Sequence, residues 1–352
     1  MSDTSLASIQ PAVWRILDAN FDRAREGLRI IEEWCRFALN DTAMANECKQ
    51  MRQELGLWHT PQIRSARDTT GDVGTALSHP REEQRTGIEQ LLQANFCRVQ
   101  EALRVLEEYG KLQSSSMSSG CKQMRYRVYS LESSLLAYRR RQLLAHARLY
   151  LVTSPAPDLL ARVEAALQGG LTLVQYRDKQ SNDVDRLEIA QAMCQLCHNY
   201  GALFILNDRV DLALAVDADG VHLGQQDISI ALARQILGSQ RIVGRSTTSP
   251  EEMSLALKEG ADYIGVGPVY ETPTKAGKAA AGLEYVQHAV KNATVPWFAI
   301  GGIDSTNIDD VLQAGAPAIA IVRAIMEADN PTHAVQYCLS ILNRVPRIEG
   351  RG

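Results

Sequence analysis

The sequence predicts an α/β protein whose C-terminal part is a (β/α)8, or TIM, barrel, preceded by an all-α N-terminal domain with an internal repeat. Two observations carry this. From Ala147 onward, short β-branched runs alternate with amphipathic helical patterns, and eight such runs occur over ~200 residues. Before that point the chain reads as helix, and one stretch of it is repeated 75 residues later. The division this predicts is residues 1–145 for the helical domain and 146–352 for the barrel.

In the repeat, Ala19-Asn-Phe-Asp-Arg-Ala-Arg-Glu-Gly-Leu-Arg-Ile-Ile-Glu-Glu33 aligns with Ala94-Asn-Phe-Cys-Arg-Val-Gln-Glu-Ala-Leu-Arg-Val-Leu-Glu-Glu108. A second echo follows each copy, Lys49-Gln-Met-Arg52 and Lys122-Gln-Met-Arg125. Two similar helix pairs packed together are the simplest structure. Phe21, Leu28 and Ile31, with Phe96, Leu103 and Leu106, recur at helical spacing and form the expected core stripe. The flanking Arg23, Glu26 and Glu33, with Arg98, Glu101 and Glu108, read as a solvated face. The recurrence of Asn, Arg and Glu in both copies also allows a polar site at their junction.

Between the copies, His59–Arg85 is polar and contains Arg67-Asp-Thr-Thr-Gly-Asp-Val-Gly74. It lacks the Gly-Lys-Ser/Thr of a Walker A loop, and the sequence assigns it no chemistry. Ser114-Ser-Ser-Met-Ser-Ser-Gly120 reads as a flexible connection. Arg139-Arg140-Arg141, near the end of the following helix, reads as surface compatible with the helix dipole.

The predicted strands are Leu149–Thr153, Thr172–Arg177, Leu203–Asn207, Gly220–Leu223, Arg241–Gly244, Tyr263–Val266, Trp297–Ile300 and Ala318–Val322. The rival is an open doubly wound sheet, which would be favoured by Gly-x-Gly-x-x-Gly after its first strand. Here the first strand is followed by Ser154-Pro-Ala-Pro157 instead.

Composition bounds the function. The chain has 352 residues, 45% hydrophobic and 22% charged, with a net charge of −4. That balance gives no general attraction to nucleic acid or membranes. No run approaches the ~18 apolar residues of a membrane span. Met1–Gln10 lacks the basic-then-apolar order of a signal peptide, so the expectation is a cytoplasmic protein. The seven scattered cysteines then read as reduced thiols. Cys194-Gln-Leu-Cys197-His198 spells a haem-attachment pattern but sits in a helical stretch, where buried, inert cysteines are the better reading.

In a barrel, functional groups gather at the C-terminal strand ends. Strand two ends Gln175-Tyr-Arg-Asp-Lys179, strand three Asn207-Asp208, and strand four leads to Gln225-Gln-Asp227. Strand five leads to Ser246, strand six to Thr272, Thr274 and Lys275, strand seven to Gly301-Gly302, and strand eight to Val322-Arg323. Arg177, Lys179 and Lys275 supply three positive charges. Asp208 and Asp227 supply hard oxygen ligands suited to Mg²⁺ held jointly with phosphate oxygens, and Ser246 adds a donor. Gly301-Gly302 and the segment after Val322 offer backbone N–H groups to a second phosphate. Each residue alone could be a surface charge or a structural ion pair. Their joint placement at successive strand ends points instead to two phosphorylated small-molecule substrates facing each other.

These motifs resemble the thiamine-phosphate synthase family. The resemblance rests on Gln175-Tyr-Arg-Asp-Lys179, Asn207-Asp208, His222-Leu-Gly-Gln-Gln-Asp227, Gly265-Val-Gly-Pro-Val-Tyr270 with Thr272-Pro-Thr-Lys275, and Ile300-Gly-Gly-Ile303, in the family's order across 147–330. It implies a transferase of thiamine biosynthesis that joins hydroxymethylpyrimidine diphosphate to hydroxyethylthiazole phosphate and releases pyrophosphate. It further implies that Gln175, Tyr176, Arg177, Asp178, Lys179, Asn207, Ser246 and Lys275 contact the pyrimidine diphosphate. Asp208 and Asp227 would hold Mg²⁺, and Thr272, Thr274, Gly302, Val322 and Arg323 the thiazole phosphate. Pyrophosphate departure largely precedes thiazole attack in the family, so no general base is expected.

Two positions depart from the pattern: Thr248, where many members have His, and Arg323, where many have Ser. The helical part resembles the N-terminal extension of cyanobacterial-type synthases, sometimes described as related to pyrimidine-phosphate kinases. No nucleotide motif supports that activity here, and its role stays open. Two other readings compete: a barrel paralogue that binds thiazole phosphate without coupling, and a helical half serving as a binding or oligomerisation module. Retention of Arg177, Lys179, Asp208, Asp227 and Lys275 argues against the first. A homo-oligomer is compatible with the sequence but not specified by it.

Overall fold

The computed structural model describes residues 4–73, 85, 87–271 and 279–345. The chain divides into two units, Met1–Leu135 and Leu136–Gly352. The division falls inside a helix, ten residues before the boundary expected from sequence.

The first unit is helical. Its elements are α1 (Thr4–Phe37), α2 (Thr42–Trp58), α3 (Pro61–Arg64), α4 (Ile88–Gly110) and the first part of α5 (Ser115–His146). Polar caps set the starts of α2 and α3: Asp41 accepts from the Met44 N–H and Thr60 from the Ile63 N–H. The repeat appears as two helix pairs, α1–α2 and α4–α5, with α1 packed along α4. Phe21, Leu28, Ile31, Phe96, Leu103 and Leu106 are all buried in one core, as their spacing predicts. Helices α1 and α4 approach closely at Gly27, where an added Cβ would lie 2.6 Å from Val99.

Among the described residues, the junction between copies holds no shared polar cluster built from the recurring residues. Asn20 and Asn95 each donate to their own helix, at the carbonyls of Ile16 and Leu91. The recurring charges pair within each copy, Arg52 with Glu32 and Arg125 with Glu107.

The serine-rich stretch is not a connection. Ser114 caps α5 by accepting from the Met117 N–H, and Ser118 donates to the Glu107 carbonyl at 2.8 Å. The following Gly120 makes room for Trp58, whose ring lies 2.1 Å from where a Cβ would stand. Close packing has overridden the poor helix propensity of serine and glycine. In the 59–73 stretch, His59 is buried, stacks on Phe21 and lies 2.7 Å from Asp18. Arg67 pairs with both Asp18 and Asp22.

The second unit is a closed barrel of eight parallel strands in sequence order, with β8 paired to β1. The strands are β1 (Leu149–Val152), β2 (Leu173–Tyr176), β3 (Leu203–Asn207), β4 (Gly220–Leu223), β5 (Ile242–Thr247), β6 (Tyr263–Val266), β7 (Trp297–Ile300) and β8 (Ile319–Ile321). The intervening helices are α6 (Leu159–Gln168), α7 (Asp183–Asn199), α8 (Val210–Ala215), α9 (Ile230–Leu237), α10 (Pro250–Lys258), α11 (Gly282–Asn292), α12 (Ile308–Gln313), α13 (Arg323–Met326) and α14 (Pro331–Leu342).

Strand alternation sorts the core into two layers. Tyr150, Leu173, Leu203, Ile205, Ile242, Tyr263 and Phe298 fill the barrel. Leu151, Val174, Tyr176, Phe204, Leu206 and Val221 face the helices. Strand β5 runs past Gly244, where the sequence ended it. That glycine stays in the strand because the Tyr263 ring lies 2.2 Å from where its Cβ would be. The end of α5 belongs to this unit: Leu144 packs into the lower barrel core, and Arg140 donates to Asp219 at 2.8 Å. The arginine cluster is therefore partly structural rather than simple surface, since Arg141 also reaches the Ser239 carbonyl.

Candidate active site at the barrel mouth

Strand β2 presents the first set. Inward-facing Gln175 is buried and donates to the Tyr150 hydroxyl at 2.6 Å. Tyr176, next along the strand, faces the helices and is only 2% exposed, with its hydroxyl donating to Asp178 at 3.3 Å. Asp178 is committed to its own turn. It accepts from the backbone N–H groups of Gln180 and Ser181 and from the Ser181 hydroxyl. These donors outweigh its burial and hold its pKa at about 2. The side chains of Tyr176 and Asp178, both expected at the pyrimidine diphosphate, are thus bonded within the β2 loop. Arg177 is half-buried and, among the described residues, makes no ion pair; its backbone N–H donates to Thr153 at 3.0 Å. Lys179 is exposed, with its ammonium 3.1 Å from Asp208.

Strands β3 and β4 bring the two carboxylates together. Asp208 follows β3 with φ of 61°, in the left-handed region. Such a conformation in a non-glycine residue is a form of local strain that functional sites often carry. Asp227 closes the turn after β4 by accepting from the Gly224 N–H at 2.6 Å. Its pKa is raised, first by burial and then by the neighbouring Asp208 carboxylate. Two apposed carboxylates, one of them disfavoured as an anion, form a hard-oxygen pair that a divalent cation would relieve. Among the described residues no group of three or more His, Cys, Asp or Glu side chains could hold a metal. A pair completed by substrate oxygens and water is how Mg²⁺ is commonly held, and the residues present fit that ion.

Inside the mouth runs a polar chain that the sequence reading did not identify. The Tyr150 and Tyr263 hydroxyls are 2.7 Å apart, Tyr263 lies 2.9 Å from His222 Nδ1, and His222 Nε2 lies 2.9 Å from the Ser246 hydroxyl. Together with Gln175 this links the β2 and β5 sides of the barrel. The available signal was tyrosine at inward positions of β1 and β6, where aliphatic residues are the usual filling of such a barrel. Gln225 also donates to the Ser246 carbonyl at 2.6 Å. Asn207, half-buried at the end of β3, makes no side-chain hydrogen bond among the described residues. Thr248 is tied to Glu252 through both its backbone N–H and its hydroxyl.

The opposite side of the mouth is a cavity of about 380 Å³, lined by Pro268, Gly301, Gly302, Val322 and Arg323 among others. Three of the expected phosphate-side residues, Gly302, Val322 and Arg323, therefore share one cavity. Gly301 and Gly302 have φ of 108° and 68°. Added Cβ atoms would stand 2.5 Å from Pro268 Cα and 2.8 Å from Tyr270 Cβ, so bare backbone is required at both positions. The expected Thr272, Thr274 and Lys275 lie outside the described residues. Cys194 and Cys197 are buried in α7, and His198 pairs with Asp219.

The comparisons bear on the fold and the family. The family profile described as thiamine monophosphate synthase matches residues 149–325, and one described as the ThiD2 family matches residues 15–134. A thiamine-phosphate synthase from Nostoc sp. is 68% identical over 337 residues, 96% of each chain. One from Synechocystis sp. is 64% identical over 95% of this chain and 97% of its own. Among solved structures, the thiamine phosphate pyrophosphorylase from Pyrococcus furiosus matches with a TM-score of 0.53 and 38% identity, covering 57% of this chain and 98% of that one. The Nostoc and Synechocystis relatives extend through the helical unit as well as the barrel, and on this evidence the chain belongs to the thiamine-phosphate synthase family.

Proposed function

We propose that the barrel mouth joins 4-amino-2-methyl-5-hydroxymethylpyrimidine diphosphate to 4-methyl-5-(2-hydroxyethyl)thiazole phosphate, yielding thiamine phosphate and pyrophosphate, with the two sides of the mouth each taking one substrate. Membership of the synthase family makes the chain an enzyme of thiamine biosynthesis. The observation that carries the division of labour is the pairing, at one end of one barrel, of a charged β2–β4 side with a glycine-lined β6–β8 cavity.

On the charged side, Arg177 and Lys179 bind the diphosphate, with Lys275 as a third cation, and Asp208 and Asp227 hold Mg²⁺. The metal, when bound, supplies Lewis-acid stabilisation of the departing diphosphate oxygens. Breaking the bond between the pyrimidine methylene carbon and the diphosphate oxygen sends its electron pair to that oxygen. In this reading Arg177 meets the charge as it builds, at little reorganisation cost. The thiazole nitrogen then gives its lone pair to the methylene carbon, forming the new carbon–nitrogen bond. No proton moves in that step, which agrees with the lack of an assigned base.

Gln175, Asn207 and Ser246 orient the pyrimidine. Their polar chain through Tyr150, Tyr263 and His222 fixes the direction of the amide and hydroxyl. Tyr176 and Asp178 act by holding the loop. Gly302, Val322 and Arg323, joined by Thr272 and Thr274, take the thiazole phosphate. The net charge of −4 and the absence, among described residues, of any helix long and apolar enough to cross a membrane fit a cytoplasmic enzyme of two small substrates.

The test is thiamine phosphate formation by the purified chain with both substrates and Mg²⁺, beside Asp208→Ala. The parent should form product, and the variant should be slower by about a hundredfold or more, the scale on which electrostatic groups act in transition states. A folded parent that makes no thiamine phosphate would overturn the reading.

A further inference from the structure

The polar chain beneath the barrel mouth has a direction as well as a shape. Its members come from five strands: Tyr150 on β1, Gln175 on β2, His222 on β4, Ser246 on β5 and Tyr263 on β6. Gln175 is in register with Val152, and Ser246 with Gly265, so the two tyrosines sit two residues further down their strands. Gly244 stands between His222 and Tyr263 in the ladder. A Cβ there would lie 2.6 Å from the Tyr263 hydroxyl, so the bare backbone keeps the path between them open.

The direction follows from counting protons. The Gln175 amide nitrogen donates to the Tyr150 oxygen at 2.6 Å. A phenol has one proton to give. Among the described residues the only other group bonded to the Tyr150 hydroxyl is that of Tyr263, 2.7 Å away. Tyr150 is buried, and a buried donor left unmade is costly, so its proton goes to Tyr263. Tyr263 in turn gives its proton to His222 Nδ1 at 2.9 Å. An imidazole that accepts at Nδ1 carries its proton on Nε2, which donates to the Ser246 hydroxyl oxygen at 2.9 Å. Burial pushes both phenol pKa values well up, so both protons stay in place.

This order fixes what each end offers to the mouth. With its nitrogen turned to Tyr150, Gln175 is left with its carbonyl Oε1, an acceptor that bonds nothing among the described residues. Ser246 has accepted from His222 and still has its own proton to donate. Turning the amide over would reverse every proton in the chain and leave Ser246 with none to give, so the two ends change together.

We infer that Tyr150, Tyr263 and His222 form a relay that selects the pyrimidine by donor–acceptor polarity: Gln175 accepts from its 4-amino group, Ser246 donates to an acceptor, and an analogue with a 4-oxo group in that place is rejected. The three relay members are positioning residues that act through Gln175 and Ser246. The inference rests on the proposed reading of the mouth and adds to it the group on the ring that is read.

Tyr150→Phe and Tyr263→Phe test it, since each keeps its ring packed against Phe298 and loses one hydroxyl. Tyr150→Phe frees the amide. Tyr263→Phe does more, because the Tyr150 proton loses its acceptor and can be taken only by Gln175 Oε1, which turns the amide over. Thiamine phosphate formation by the full chain with Mg²⁺ is measured with the 4-amino pyrimidine diphosphate, and its inhibition with the 4-oxo diphosphate analogue. Circular dichroism checks each fold, and calorimetry supplies the two affinities for a variant too slow to assay. The parent should bind the analogue about a hundredfold or more weakly than the substrate, because the mismatch leaves polar groups unpaired inside the site. That ratio should narrow about tenfold in Tyr150→Phe, the scale of one hydrogen bond, and further in Tyr263→Phe. A purely structural loss would weaken both ligands together. An unchanged ratio in both folded variants, or a parent that binds the two ligands alike, overturns the inference while leaving the synthase reading in place. A folded parent that forms no thiamine phosphate overturns that reading, and the inference with it.

Discussion

The two sides of the barrel mouth are built in opposite ways. The β2–β4 side uses side chains: Arg177 and Lys179 as cations, and Asp208 and Asp227 as a carboxylate pair. The β6–β8 side uses backbone and shape, with Gly301 and Gly302 at positive φ and a cavity closed by Pro268 and Val322. The difference follows from what each side is proposed to handle. A departing diphosphate gains charge during reaction, so mobile cations and a metal are useful there. A thiazole phosphate is carried through unchanged, so a fixed set of N–H donors suffices, and these stabilise substrate and transition state alike.

This contrast makes opposite kinetic predictions. The largest effect belongs to the charged side. Arg177→Ala should lower kcat by about 10²–10³-fold, because it removes a group aimed at developing charge. Arg177→Lys should restore only part of it, since the ammonium lacks the planar fork. Steady-state kinetics decide: an Arg177→Ala variant with unchanged kcat and raised KM would make that arginine a uniform binder, and the contrast would collapse.

The glycine side should respond through binding. Gly302→Ala forces a Cβ into a position 2.8 Å from Tyr270 at a φ of 68°. The KM for thiazole phosphate should rise about tenfold with kcat little changed, the pattern of lost uniform binding. The strained residue should also cost about 1–2 kcal/mol of stability, measurable by urea unfolding. A variant whose kcat falls instead would mean the glycine turn shapes the reacting geometry.

Much of this mouth was legible in the sequence because charged residues at strand ends have few other reasons to occur in register. Arg177, Lys179, Asp208 and Asp227 were readable from residue type and position alone, as were Gly301 and Gly302. The strands at β3, β4, β6 and β7 end where the apolar runs end. What escaped reading depends on three-dimensional neighbours. Tyr150, Tyr263 and His222 come from strands 1, 6 and 4, and only barrel closure brings their polar atoms within 3 Å. The intra-loop bonds of Tyr176 and Asp178 come from strand alternation and from a local turn that the motif Gln175–Lys179 does not reveal. Likewise Ser115–Gly120 became helix because Trp58 packs on Gly120, a contact between residues 62 apart in sequence.

The smallest effect lies at the other end of the barrel, away from the mouth, and it sets the baseline for the two mouth predictions. His198 Nε2 is 3.0 Å from the buried Asp219, which also accepts from Arg140 and from the Phe204 N–H. The hydrogen bond to Asp219 raises the His198 pKa from 6.5 to about 10. A group whose folded pKa lies above its unfolded value stabilises fully below the unfolded pKa. That contribution is lost as pH rises from about 6.5 through about 10. The His198 side chain is 39% exposed, so solvent screening limits the contribution to about 0.5–1 kcal/mol. His198→Gln should therefore destabilise the barrel by that amount at pH 6 in urea unfolding and by much less at pH 10.5, with kcat and both KM values unchanged. An equal loss at both pH values would show that His198 acts there by packing rather than as a cation.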